Sequence, residues 1–299
     1  MTLTGLYVPL ITPFDSNGGV ALDPLESLAH QMLDAGATGL VCLGTTAEPA
    51  ALSDSEKRAV FDVLAGVCRT RDAQLVVGAD RPSELEALAD WPEVVAAQVP
   101  VPSFVRPGDA GVLAYFTHLA SVSPVPLVIY HIPYRTGQSL TLETLRRLAS
   151  LPGVAAFKYA AGGIDNDTVA LMSELPDDFA VLGGDDVVIS PLLALGAHGA
   201  ILASAHVDTA DFVSLIDLWH AGDVPRARAL GHRLAALSSA LFAEPNPTVV
   251  KAVLHARGLI PTADVRLPLV SADPQSLEYF EGLNEGVANV SRSEVPSMR

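Results

Sequence analysis

Lys158 is the residue with the most distinctive chemistry in this chain. It is one of only three lysines and ends the apolar run Val154-Ala155-Ala156-Phe157. An ammonium at the end of a buried strand is costly to desolvate, so its pKa should fall and the neutral amine become available. A neutral amine is what attacks a ketone to form a Schiff base. The competing reading is a strand-end lysine paired with Asp185 or Asp186. Lys57 and Lys251 occupy bland positions in helical patterns, Lys57 after Glu56 on a polar face and Lys251 near His255. Tyr130 ends a second apolar run, and its phenol could pass a proton to or from a carbinolamine or enamine, or simply pack in a core. Gly44-Thr45-Thr46 brings two hydroxyls and backbone N–H groups into one turn, suited to a small carboxylate or to a plain helix entry. Arg135, beside Gly137, offers a bidentate partner for a second carboxylate or a surface ion pair. The histidines show no H-x-H or H-E-x-x-H spacing, His131 reads as packed, and Asp185-Asp186 fits a helix start as well as an ion site. No metal is expected.

These residues need strands to hold them, and the chain supplies an alternating series. Apolar runs at Leu6–Phe14, Gly39–Gly44, Gln74–Gly78, Val94–Val99, Pro126–Ile132, Val154–Tyr159, Phe179–Gly183 and Gly199–Ala203 read as strands buried on both faces. Helical patterns lie between them, including Pro24–Ala35, Asp54–Cys68, Gly111–Val122 and Leu142–Leu151. Ser53, Thr141 and Asp23 read as N-caps, and Gly36, Gly196 and Gly222 as C-terminal stops. Eight βα units of about 27 residues predict a closed (β/α)₈ TIM barrel over residues 1–222, with catalytic groups at the C-terminal strand ends. The open-sheet alternative lacks a G-x-G-x-x-G after its first strand. Residues 223–299 read as a C-terminal helical appendage with helices at Val224–Phe242, Thr248–Arg257 and Gln275–Val290, then a frayed tail.

Composition narrows the partners. The 299 residues are 49% hydrophobic, enough for a large core, so a disordered chain is excluded. The 18 Lys and Arg against 34 Asp and Glu leave a formal charge of −16, which disfavours nucleic acid and anionic membranes. Two cysteines make neither a disulfide framework nor a zinc cluster. No secretory signal or membrane-length apolar run is apparent, so a soluble cytoplasmic protein is expected.

The motifs together resemble the dihydrodipicolinate synthase / N-acetylneuraminate lyase family of pyruvate-dependent class I aldolases. Gly44-Thr45-Thr46-Ala47-Glu48 is similar to the family's G-T-T-G-E, and Tyr130–Gly137 (YHIPYRTG) to its Y-N-x-P-x-R-T-G. Lys158 matches its Schiff-base lysine. The resemblance spans nearly the whole chain, including Gly183-Gly184-Asp185-Asp186 and Glu244-Pro245-Asn246-Pro247. It implies a pyruvate imine on Lys158 with no separate cofactor and a proton relay through Tyr130 and Thr45. It also implies a carboxylate held by Thr45 and Thr46, a pocket lined by the backbone at Ile201, and Arg135 meeting the acceptor's carboxylate. The implied reaction joins pyruvate to an aldehyde, with 4-hydroxy-tetrahydrodipicolinate synthase activity first. Sister aldolases or hydratase-aldolases (2-keto-3-deoxy sugar acid, 4-hydroxy-2-oxoglutarate or N-acetylneuraminate type) and a non-catalytic keto-acid binder are the alternatives. A homo-oligomer, dimer or tetramer, is implied as well.

Several positions depart from the family pattern. Phe104 stands where the synthase branch places a tyrosine that completes a relay across the dimer interface, Ala47 replaces a glycine, and Tyr159 follows the lysine in place of glutamate. After the third strand, Gly78-Ala79-Asp80-Arg81-Pro82 replaces G-T-G-x-N, which predicts trimmed third and fourth helices and alters the region that, in the resembled family's regulated synthases, supplies lysine-feedback ligands.

Overall fold

The computed structural model describes residues 2–293. Its eight strands close into one parallel barrel in sequence order: β1 (Gly5–Pro9), β2 (Gly39–Cys42), β3 (Gln74–Gly78), β4 (Val94–Pro100), β5 (Leu127–His131), β6 (Val154–Tyr159), β7 (Ala180–Gly183) and β8 (Gly199–Ile201). β8 returns to β1 through Gly199 opposite Gly5. The (β/α)₈ barrel is therefore the fold. Alternation along the strands divides the core. Tyr7, Val41, Val76, Val128, Ala156, Leu182 and Ile201 fill the barrel interior, while a larger cluster packs the outer strand faces against the helices.

The helical ring follows the expected order. It comprises α1 (Leu22–Asp34), α2 (Asp54–Arg71), α3 (Pro82–Glu86), α4 (Gly108–Val122), α5 (Pro133–Thr136), α6 (Leu142–Ala149), α7 (Asn166–Met172), α8 (Ile189–Ala194) and α9 (Ala205–His220). Ser53 caps α2 in a reciprocal capping box with Glu56, and Thr141 accepts the backbone N–H of Thr144 at the start of α6. Asp23 is no cap: α1 begins one residue earlier at Leu22, behind Ala21, and Asp23 lies in its first acidic turn. The first strand also stops at Pro9 rather than Phe14. Pro9 and Pro13 remove backbone donors, and Phe14 instead bridges Val20 antiparallel. Trimming falls on α3 alone, which has five residues; α4 has fifteen.

After Gly222 the chain continues as α10 (Val224–Leu241), α11 (Thr248–Ala256) and α12 (Pro274–Ser293). Leu234, Leu237, Val250 and Leu254 share the outer core with the barrel helices, so these helices pack on the barrel. α12 extends past Val290 to Ser293, and the rest of the expected tail, residues 294–299, lies outside the described residues. No helix among the described residues is long and apolar enough to cross a membrane.

Candidate active site

β5 and β6 run in a register that places Tyr130 opposite Lys158. Both side chains face the barrel interior at its C-terminal end, above the layer of Val128 and Ala156. Lys158 Nζ lies 4.2 Å from the centroid of the Tyr130 ring. Among the described residues the lysine forms no ion pair, in contrast to the other buried lysine, Lys251, which binds Glu48. Lys158 is 4% exposed. Burial pulls its ammonium down to about 7, opposed by the charge of Asp186 and reinforced by that of Arg135.

Gly184 makes this placement possible. A Cβ at that position would lie 2.7 Å from Lys158 Cγ and 2.9 Å from Cε, so the lysine stem runs directly over the glycine backbone. Asp186, two residues on, is buried and lines the same narrow cavity. Its Oδ1 accepts the Ser204 backbone N–H at 2.6 Å, and burial still pushes the carboxyl up to about 6. Of the two aspartates noted in the sequence, Asp186 is thus the one brought to Lys158. No group of three or more His, Cys, Asp or Glu is placed to hold a metal ion among the described residues.

The phenol of Tyr130 is raised well above its ordinary range by burial and by Tyr134, opposed by the charge of Arg135 and by the nearby Thr45 side chain. Thr45 opens a single 3₁₀ turn, Thr45–Ala47, directly after β2. The backbone is left-handed on either side of this turn, at Leu43 (φ 53) and Glu48 (φ 56). Gly44 itself has φ −66, and a Cβ there would meet only ordinary contacts. The turn is fastened from outside: Thr12 Oγ1 donates to the Ala47 carbonyl at 2.8 Å, and Asn246 Nδ2 donates to Thr46 Oγ1 at 2.9 Å.

Glu48 ends the turn and anchors it to the C-terminal helices. Its Oε1 takes Lys251 Nζ at 2.5 Å and its Oε2 takes the Arg266 backbone N–H at 2.7 Å. Lys251 also donates to the Asp264 carbonyl at 2.8 Å and lies 4.0 Å from the Phe14 ring centroid. Lys251 is 0% exposed, so its place in the helix is not the bland one the sequence suggests. Helical spacing alone could not reveal it, because its partner lies 203 residues away in sequence. Burial lowers its pKa to about 8 despite the attraction of Glu48.

Arg135 is exposed, forms no ion pair among the described residues and donates through Nε to the Tyr134 hydroxyl at 3.2 Å. It lines the narrow cavity with Thr45, Thr46, Tyr130 and Lys158. The structure thus brings five of the six sequence-selected residues to one cavity. Ile201 is the exception: its side chain fills the barrel layer below, and Ala203 lines the cavity from that segment. Phe242 and Asn246, from the C-terminal helical region, complete the wall and were not selected as site residues. The EPNP motif that holds Asn246 is the one signal pointing there.

A second, wider cavity of about 710 Å³ opens on the far side of Thr45 and Tyr130, which line both spaces. Its wall includes Phe61 of α2, Glu84 of α3 and Trp91. His131 lines neither cavity and packs against Tyr159, ring centroids 5.6 Å apart and tilted by 34°, with burial lowering its pKa to about 4. Tyr159 exchanges a hydrogen bond with Thr168 at 3.0 Å.

The chain is 38% identical over 281 residues to the 4-hydroxy-tetrahydrodipicolinate synthase of Synechococcus elongatus, covering 92% of each chain. It is 36% identical to the enzyme of the same name from Moorella thermoacetica, covering 91% of this chain and 94% of that one. The crystal structure of dihydrodipicolinate synthase from Thermotoga maritima superposes with a TM-score of 0.89 at 27% identity, covering 96% and 99% of the two chains. The model of the dihydrodipicolinate synthetase family matches residues 2–283, and the chain belongs to that family.

Proposed function

We propose that the protein is a Schiff-base lyase that joins pyruvate to an aldehyde, with 4-hydroxy-tetrahydrodipicolinate synthase activity on aspartate semialdehyde as the specific reading. The observation that carries it is Lys158: a desolvated amine without an ion-pair partner among the described residues, in register with a buried tyrosine at the barrel mouth. The name shared by the relatives supports the choice of acceptor.

The chemistry follows from the geometry. The neutral Lys158 amine adds to the ketone carbon of pyruvate, and the oxygen leaves as water with a proton supplied by Tyr130. The phenolate this leaves on Tyr130 takes a methyl proton, converting the iminium into an enamine, whose carbon attacks the aldehyde carbon as the phenol proton passes to the aldehyde oxygen. The amino group of the acceptor then adds to the imine carbon, one of its protons passes to the lysine nitrogen, and the C–N bond to Lys158 breaks, closing the product ring and restoring the neutral amine. Thr45, lining both cavities, connects Tyr130 to the wider, solvent-open space for proton exchange. Thr46 and the turn around it receive the pyruvate carboxylate, and Arg135 meets the acceptor's carboxylate. The imine supplies the electron sink, so this scheme needs no metal or separate cofactor. A soluble, cytoplasmic homo-oligomer completes the reading.

Phe104 favours a second reading, the same imine serving a different aldehyde. Its side chain is 96% exposed at φ 59 and has no phenol to contribute to a relay. Borohydride trapping with pyruvate, followed by peptide mapping, tests the shared step. An adduct on Lys158 that is absent from Lys158→Ala supports it; folded protein without an adduct refutes it. An aldehyde panel then separates the two readings, since sugar-acid cleavage without turnover of aspartate semialdehyde would remove the first.

A further inference from the structure

Besides the Lys251–Glu48 pair, the C-terminal helical region reaches the threonine turn through Asn246. Asn246 lies between α10 and α11, is 7% exposed and lines the narrow cavity beside Thr46 and Lys158. Its Nδ2 donates to Thr46 Oγ1 at 2.9 Å, and its own Oδ1 is buried without a hydrogen-bond partner among the described residues. A threonine hydroxyl has a single proton and two acceptor sites. Once one acceptor site is filled by Asn246, the Thr46 proton has no acceptor among the described residues and remains available to the cavity. An asparagine rotated to present its oxygen would consume that proton and turn a lone pair toward the substrate.

We propose that Asn246 is a positioning residue that fixes Thr46 as a hydrogen-bond donor to the carboxylate of the bound keto acid. The donor site on the β2 turn is thereby completed by the C-terminal helices. The inference rests on the keto-acid reading above, and its chemistry is polarity: an anionic carboxylate needs donors, and a hydroxyl whose accepting side already takes a bond from Asn246 is held with its proton toward the anion.

The test measures the pyruvate concentration giving half-maximal borohydride trapping, by intact mass, in folded variants checked by thermal melts. Asn246→Asp makes residue 246 an acceptor for the Thr46 proton, and half-saturation is expected to rise about tenfold or more, the usual scale for losing a bond to a charged group. Asn246→Ala leaves the hydroxyl free to rotate and is expected to raise it only about threefold, with the maximal trapping rate retained. On a Thr46→Val background, changing Asn246 to Ala should have no further effect. Absence of any adduct in the wild-type protein would refute the keto-acid reading itself. A normal wild-type adduct would overturn the inference if Asn246→Asp kept the wild-type half-saturation, or if Asn246→Ala were the worse variant. Should Asn246→Asp fail to fold, the Thr46→Val, Asn246→Ala and double variants decide: coupled effects support the inference and additive ones overturn it.

Discussion

Tyr130 and Lys158 are direct neighbours across the β5–β6 ladder, and the lysine nitrogen sits over the tyrosine ring at 4.2 Å. A strand pairing, not a loop, sets their separation. The pair is therefore held by the same hydrogen bonds that close the barrel, which suits groups that must meet one small substrate without reorganising.

The first prediction concerns pH. Lys158 has its pKa lowered from 10.5 to about 7, so the reactive neutral amine forms as pH rises through about 7. The rate of imine trapping with pyruvate should climb through that point and level off above it. The same shift sets a stability effect of known sign. Between about 7 and 10.5 the unfolded chain binds a proton that the folded one does not, so burial of Lys158 costs stability in full below about 7, and the cost fades toward 10.5. Lys158→Met should raise the melting temperature at pH 7 and gain less at pH 10. A gain that grew with pH would contradict the assignment.

Tyr130→Phe keeps the ring that packs against Lys158 and removes only the phenol. Trapping and turnover should slow by about 10²- to 10⁴-fold, the range for loss of a general acid–base group, while the denaturation midpoint changes little. Stopped-flow and thermal denaturation on the same preparation check both halves.

Gly184→Ala puts a methyl group 2.7 Å from Lys158 Cγ. The stem must shift, and a displacement of about 1 Å at the nucleophile is expected to cost on the order of 10²-fold in the trapping rate. Far-ultraviolet circular dichroism should remain that of the parent barrel. An unchanged rate would mean that the lysine needs no such close fit.

Glu48 and Lys251 form an ion pair shielded from solvent, with side chains 3% and 0% exposed. Lys251→Met leaves the carboxylate buried without its cation and should cost about 3–5 kcal/mol in urea denaturation. Adding Glu48→Gln to that variant should recover much of the loss. Equal costs for the single and double variants would show that packing, and not the uncompensated charge, carries the effect.

Phe104→Tyr tests the acceptor. The side chain is exposed, so stability should change by less than about 0.5 kcal/mol. Turnover of aspartate semialdehyde is expected to rise as a phenol rejoins the relay. Unchanged turnover in folded protein would assign the pocket to another aldehyde.

The order of strands and helices was legible in the sequence because each strand carries its own apolar run and each helix its own stripe and cap. Lys158 and Tyr130 stood out for the same local reason, a polar group at the end of a run that must be buried. Arg135 and the threonine turn followed from motifs. Asn246, Lys251 and Ile201 did not yield to such reasoning. Asn246 bonds to Thr46 across 200 residues and Lys251 to Glu48 across 203, while Ile201 and Ala203 share the inward face and differ in depth, Ile201 filling the barrel layer and Ala203 lining the cavity above it.

By itself, then, the sequence determined the closed barrel and the buried amine and phenol at the ends of two of its strands, since periodicity and desolvation act over a few neighbouring residues. The tertiary structure alone decided that Asp186 faces Lys158, that Gly184 admits the lysine stem, and that the C-terminal helices fasten the threonine turn. Those relationships depend on barrel closure and on packing between distant segments, whose contacts leave no local periodic mark.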